Sequence, residues 1–369
     1  MKDQAYVWFA HLVSAVFNGF FWLYFAKIIG KSEYGEIGYI ISLAAVGFTF
    51  ANIGLSGTMV VYGAKQQKIF SPLYQLGLLS SIVSAIIAFV LIQNIFVSIA
   101  IIAEIIWVLW ESKLNSEKQY IKYARFTVLR RGLLLALSIL FYHFMGIDGV
   151  LIGIALSTIP GLLGLFHFIK NKKIGISFLR PKFKIITNFY LINLTSTLFW
   201  WGDKIIIGAM FGYSVLGGYM LVTQLVILLS TLPSALYVYL LPQEASGAKS
   251  TKTKIYSVLL SCFIALIAIA VIPFGVDYVL PEHHESILAF QIVSLSVIPI
   301  CISMIFESKF SGTEKNLYVL IGSSIQLGIY FTMLVVFGMI YGLTGIAIGF
   351  LIAVIGRTVW NYSINKKFF

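Results

Sequence analysis

The residues LYQLGLLSSIVSAIIAFVL (73–91) and, after a three-residue gap, IFVSIAIIAEIIWVLW (95–110) decide the fold class. The first run carries no charge and the second carries one, Glu104. A helix needs about 20 apolar residues to cross roughly 30 Å of hydrocarbon, so this stretch predicts two successive spans, the second of them short. The pattern repeats outward in both directions. Runs lie at 5–28, 37–62, 126–145 and 149–169, then at 187–210, 216–241, 255–272, 288–306, 317–339 and 342–360. The 369-residue chain is 59% hydrophobic and 11% charged, with a mean hydropathy of +0.94. Soluble domains have roughly 45–50% and about 25%. One globular core cannot bury that excess, so it faces lipid or other helices. The expectation is an all-α polytopic membrane protein of about twelve transmembrane helices, with no room for a soluble catalytic domain. Cys262 and Cys301 sit inside apolar runs and supply neither a disulfide framework nor a metal cluster.

Alternating the connections from a cytoplasmic N-terminus puts all but Lys27, Lys31 and Lys204 of the 26 basic residues on one side. Glu33, Glu36, Asp148, Asp277, Glu282 and Glu285 fall in the opposite connections. This is the positive-inside distribution, and it predicts a multi-pass protein of the cell (inner) membrane with both termini cytoplasmic. The net charge of +12 then reports topology and contact with anionic inner-leaflet lipids, with no call for a nucleic-acid partner. The apolar stretch after Lys2 and Asp3 exceeds 20 residues and lacks a small-residue cleavage site before Lys27, so it reads as a retained first span.

The basic connection Lys170–Lys184, with Pro181, divides the spans six and six, giving lobes 1–175 and 176–369. Both halves open alike. Phe20, Phe21 and Trp22 precede a short outer turn and then Gly38 and Tyr39; Phe199, Trp200 and Trp201 precede another turn and then Gly218 and Tyr219. Internal repeats of this kind place transporter sites near the membrane midplane, between the halves.

The stretch Phe199-Trp-Trp-Gly-Asp-Lys-Ile-Ile-Ile-Gly-Ala-Met-Phe-Gly212, with Leu216-Gly-Gly-Tyr219, Leu232-Pro-Ser-Ala235 and Leu241-Pro242, resembles helices seven and eight of the polysaccharide-repeat (O-antigen type) flippases. These belong to the multidrug/oligosaccharidyl-lipid/polysaccharide exporter superfamily. Ile29–Glu36, Asn52–Ser56 and Phe274–Tyr278 are similar to further turns of the family, so the likeness spans nearly the whole chain. It implies two six-helix lobes in a V around a cavity, alternating access by rocking, and a substrate that is a sugar chain on a polyprenyl pyrophosphate. Glycosyltransferases or a polymerase of the same pathway are the implied protein partners.

Moving a multiply charged, hydroxyl-rich headgroup across hydrocarbon requires a wet cavity with fixed cations, so cations within the spans matter most. Lys204 in the seventh span either contacts phosphate or sugar in the cavity or bonds to adjacent helices. Its neighbour Asp203 points about 100° away on an ideal helix and need not pair with it, although it could hold a cation or carry a proton. Arg130 and Arg131 near the start of the fifth span either snorkel to inner headgroups or capture pyrophosphate, with Glu104 at similar depth as a pairing partner. Lys27 near the outer end of the first span reads as interfacial. Among amides, Asn18 and Gln224 are the sugar contacts to test, with Asn52, Asn193 and Gln326 read as cross-helix hydrogen bonds. Trp200 and Trp201 lie near midplane, either as packing or as a sugar-stacking platform. Pro160, Pro233 and Pro299 predict kinks. His283 and His284 sit in an outer turn and read as solvated surface, while His11, His143 and His167 are isolated. No Walker loop or nucleophile–base arrangement occurs, so neither ATP use nor catalysis is expected. No cofactor is expected either, and a coupling ion, proton or sodium, is left open. Two other readings remain. An ion-coupled multidrug exporter of the same superfamily would want acids in the first spans, and a membrane-embedded polyprenyl-phosphate transferase would want an acidic metal cluster.

Overall fold

The computed structural model describes residues 2–65, 69–170, 175–231, 233–234, 236–237, 240, 251–313 and 315–368. Lys68, Lys172, Lys173 and Lys249, and the Leu232, Ala235, Leu241 and Pro242 motif positions, lie outside them. Among the described residues every regular element is helical. The helices are α1 (Lys2–Ile28), α2 (Lys31–Asn52), α3 (Leu55–Ala64), α4 (Phe70–Ile92), α5 (Ile95–Ser116), α6 (Tyr120–Ser157) and α7 (Leu162–Lys170). There follow α8 (Phe183–Thr197), α9 (Asp203–Phe211), α10 (Tyr213–Leu229), α11 (Thr251–Val279), α12 (Ile287–Leu295), α13 (Val297–Gly312) and α14 (Asn316–Phe368). The twelve apolar runs fall on helix where they are described, apart from turns at Ile53–Gly54, Thr158, Ser230 and Ser296, the first of which splits the run 37–62 into α2 and α3. Among the described residues, eight continuous helical stretches are long and apolar enough to cross a membrane. Two of them hold two runs each: Tyr120–Phe166 bends back at Gly146 and Leu317–Lys367 at Gly342. The predicted kink at Pro160 appears as the 3₁₀ turn Ile159–Gly161 between α6 and α7.

The two bends are the same device. Gly146 has φ 59 and ψ −136, and Gly342 has φ 57 and ψ −134, a region open only to glycine. Three residues on, a methyl group on Gly149 would lie 2.1 Å from the Phe141 carbonyl oxygen, and one on Gly345 would lie 1.9 Å from that of Phe337. Gly153 likewise abuts the Ser138 backbone, and Gly349 that of Leu334. Each pair keeps one sequence offset, and α6 and α14 begin in that same register. The strongest trace of an internal repeat therefore lies in these helices rather than in the aromatic openings read from the sequence.

Contacts divide the chain into two compact units. One comprises Met1–Phe25 and Glu36–Ile206, the other Ala26–Gly35 and Ile207–Phe369. In the first, Leu73, Tyr74, Ile101, Ile105 and Leu109 of α4 and α5 form a fully buried core with Leu55 and Met59 of α3. Small hydroxyls bring the helices close: Ser84 Oγ donates to the Gly47 carbonyl at 2.7 Å, Ser80 Oγ to that of Ala51 at 2.5 Å, and Ser98 Oγ to that of Ala85 at 2.8 Å. Such contacts matter in lipid, where exclusion of water does not drive helix pairing. In the second unit, α11, α12 and α13 pack on one another and α14 packs on α12 and α13, while the Tyr219 and Tyr330 hydroxyls share a buried 2.6 Å bond.

Candidate functional site

Within the first unit a cavity of about 290 Å³ opens between α1, α2, α5, α6 and the turn before α9. Its polar lining comes from Asn18, Glu104, Arg130 and Arg131, and its aromatic wall includes Trp22 and Trp201. Of the residues expected at a site, Asn18, Arg130, Arg131 and Trp201 thus come together. Trp200, Asp203 and Lys204 belong to the same unit but do not line the cavity. Gln224 belongs to the second unit.

Spacing along α5 and α6 builds the charged wall. Glu104, Trp107 and Glu111 follow at three- and four-residue intervals on α5, opposite Thr127, Arg130 and Arg131 of α6. Arg130 Nη2 donates to Glu104 Oε1, and the guanidinium lies 5.0 Å from the Trp107 ring centroid. Glu111 accepts from Thr127 Oγ1 at 3.0 Å and from Trp107 Nε1 at 3.2 Å. Arg130 is therefore buried, paired and stacked, so the snorkelling reading does not describe it. Arg131 differs. Half-buried against the cavity, its guanidinium makes no hydrogen bond or ion pair with another described residue, although Arg130, Glu104 and Glu111 act on it electrostatically. The lining thus carries two cations and one carboxylate, and the carboxylate is already bound.

Asp203 and Lys204 form a local pair, which corrects the 100° argument made from an ideal helix. The five residues Leu198–Gly202 form a π turn between α8 and α9, which widens the coil and changes which groups meet. Asp203 Oδ1 accepts from the Lys204 backbone N–H at 2.7 Å and from its Nζ at 3.3 Å. The same ammonium donates to the Trp200 carbonyl at 2.5 Å and lies 5.5 Å from the Trp201 ring centroid. Both side chains are buried, so Lys204 tethers the turn that presents Trp201.

Three clusters went unnoticed in the sequence. Glu111 is one. The second lies in the other unit, where Glu307 accepts from Arg357 Nη2 at 2.7 Å and from Asn361 Nδ2 at 2.9 Å, while Gln326 accepts from Arg357 Nη1 at 2.9 Å. The third corrects the reading of the outer turn: His284 is exposed and bonded to Asp277 at 2.6 Å, but His283 is fully buried. Alternation of solvated and buried positions in a 3₁₀ turn was the available signal, masked by the charged flanks Glu282 and Glu285. Among the described residues no group of three or more histidine, cysteine or acidic side chains is placed to hold a metal ion.

No family model matches the chain, and no curated protein matches it in sequence. Solved structures do. The lipid II flippase MurJ in an inward closed conformation aligns with a TM-score of 0.77 at 14% identity, covering 99% of this chain and 87% of that one. An inward-facing multidrug resistance MATE family transporter of the MOP superfamily aligns at 0.70 with 15% identity over 96% of each chain. A MOP superfamily transporter from Pyrococcus furiosus aligns at 0.56 with 16% identity, covering 99% of this chain and 92% of that one. The chain has the fold of the MOP-superfamily transporters.

Proposed function

We propose that this multi-pass membrane protein is a transporter that flips a polyprenyl-pyrophosphate-linked oligosaccharide from the cytoplasmic to the outer leaflet by alternating access, for surface glycan synthesis. In this reading Arg131, braced by the Arg130–Glu104 pair, binds pyrophosphate in the first unit's cavity, and Asn18 and Trp201 contact the adjoining sugar. The observation that carries it is the cavity's charge: one carboxylate, already taken by Arg130, and a second guanidinium left over. An arginine fork matches phosphate oxygens two at a time. A volume near 290 Å³ lies at the small end of ligand pockets, which suits a diphosphate and the edge of one sugar rather than a whole glycan. Lobes 1–175 and 176–369 are the proposed moving bodies, both termini are cytoplasmic, and the glycosyltransferases or polymerase of the pathway are the proposed partners.

The multidrug-exporter reading has equal support from the fold, because MATE transporters share it. Charge separates the two. Glu104, the one acid in the cavity lining, is committed to Arg130, whereas a cationic drug or coupling cation wants a carboxylate to spare. The test is deletion of the gene followed by extraction of lipid carriers. Finished lipid-linked glycan accumulating on the cytoplasmic face supports the flippase, and an unchanged carrier pool refutes it.

A further inference from the structure

His283 is fully buried, and neither ring nitrogen meets a hydrogen-bond partner among the described residues. Ser286 Oγ, three residues on, is equally buried and equally without one. A turn that buries three polar atoms unmatched departs from the rule that buried polar groups are paired, and such a departure calls for a physical account. The segment that covers them is the hairpin of residues 26–35, between α1 and α2. It seats on α10 by direct backbone contact. A methyl group on Gly35 would lie 1.9 Å from the Tyr213 carbonyl oxygen, and one on Gly217 would lie 2.0 Å from that of Lys31. The buried Tyr34 ring meets the His283 ring edge-on at 6.2 Å, and Lys31 Nζ bonds Glu285 at 3.0 Å.

The charges around the imidazole decide its protonation. From α2 come Lys31 and Tyr34. From α11 come Asp277, which is bonded to His284, and the exposed Tyr278. The turn itself adds Glu282, His284 and Glu285, and α10 carries only tyrosines, Tyr213 and Tyr219, the latter bonded to Tyr330. No residue of α12 titrates. Burial first, and the Lys31 ammonium second, disfavour an imidazolium at His283, with Lys31 itself paired to Glu285.

We propose that His283 makes the 26–35 hairpin an acid-released latch: neutral and buried while the hairpin is seated, protonated once the hairpin lifts and water reaches the ring. Protonation of the open form then holds the hairpin off, so acid favours opening and neutral pH favours closure. The sign follows from burial, which disfavours the charged form in the closed state only. Under the proposed topology both segments face outward, so the latch senses external pH. Its use as an outer gate rests on the transport reading above.

With an ordinary histidine pKa near 6.5 in the open form, the open-to-closed ratio rises about tenfold between pH 7.5 and 5.5. Hydrogen exchange of backbone amides 26–35 in the full-length protein in nanodiscs, corrected for intrinsic pH dependence, reads this ratio. The wild type should show the tenfold rise, His284→Gln should keep it, and His283→Gln should lose it. Gly217→Ala should exchange fast at both pH values because its methyl group unseats the hairpin. Flat exchange in the wild type, as a water-bridged structural histidine would give, overturns the latch, as does a rise that survives in His283→Gln. If the glutamine variant fails to fold, the wild-type response and its retention in His284→Gln decide. The readout needs no glycan, so flat exchange leaves the transport reading standing. A responsive hairpin in a protein that moves no lipid-linked glycan overturns the transport reading alone.

Discussion

Arg131→Gln separates binding from folding. The guanidinium lines the cavity with no bond to another described residue, so its removal breaks nothing in the resting protein. It also removes a like charge beside Arg130 and an opposite charge beside Glu104 and Glu111, which offset one another. The midpoint of thermal unfolding should hold or rise slightly. Binding should suffer. A unit charge pair at 4 Å is worth about 4 kcal/mol at an effective dielectric of 20, and a hydrogen bond to a charged group contributes about 1.5–3 kcal/mol. A loss of about 2–4 kcal/mol weakens the Kd for a polyprenyl pyrophosphate about 30- to 900-fold. Trp22 and Trp201 line the same cavity, so their fluorescence reports occupancy in a titration in nanodiscs, with the phosphate-free polyprenol as the control lipid. Arg131→Lys should retain part of the affinity, because a point charge replaces a fork. A glutamine variant that binds within threefold of wild type refutes the assignment of pyrophosphate to this cavity.

Breaking the neighbouring pair acts on stability instead. Arg130→Met and Glu104→Gln each strand a partner inside the unit and should cost about 3–5 kcal/mol, whereas the double variant should cost less than either, as read by thermal unfolding in detergent. Lys204→Met takes the ammonium from buried Asp203 and from the Trp200 carbonyl and should destabilise the protein, with Asp203→Asn added in the same chain restoring part of the loss. Gly146→Ala and Gly342→Ala meet open space and should cost only backbone strain, about 1–3 kcal/mol, while Gly149→Ala and Gly345→Ala drive a methyl group into a carbonyl and should prevent insertion at normal levels. Reporters fused after Lys184 and at Glu282 should read cytoplasmic and external respectively, and the reverse readings would overturn the proposed topology.

Most of the architecture was legible because hydrophobic length is a one-dimensional property. Residues 73–91 and 95–110 become α4 and α5 with boundaries a few residues wider. What escaped were features set by local geometry or by distant partners. The Asp203–Lys204 pair joins sequence neighbours at the start of α9, just after a π turn, because the long lysine side chain folds back to a carboxylate that helical angles alone place apart. Burial of His283 depends on a hairpin some 250 residues earlier in the chain, and its charged neighbours pointed the other way. The cavity was half legible: Arg130 and Arg131 stood out as cations inside an apolar run, but which of them was spent on Glu104 is a matter of α5 facing α6.

In the register that superposes Gly146 on Gly342, Arg130 of α6 corresponds to Gln326 of α14 and Glu111 of α5 to Glu307 of α13, whereas Glu104, the partner of Arg130, falls at Ile300. In the second unit the corresponding side chain is an amide, so the charge that neutralises Glu307 comes from Arg357, near the end of α14. Gln326 then accepts from that same arginine, and Asn361 and Ser303 both donate to Glu307, so its carboxylate is shared among three donors. In the first unit Arg130 bonds Glu104, and the adjacent Arg131 makes no hydrogen bond to either Glu104 or Glu111. Two copies of one helical scaffold thus hold a carboxylate at a matching place, Glu111 and Glu307, but satisfy it differently, the first with Thr127 and Trp107 and the second with Arg357, Asn361 and Ser303. The first copy leaves the Arg131 guanidinium facing its cavity without a hydrogen bond to another described residue, whereas the second binds Arg357 to both Glu307 and Gln326.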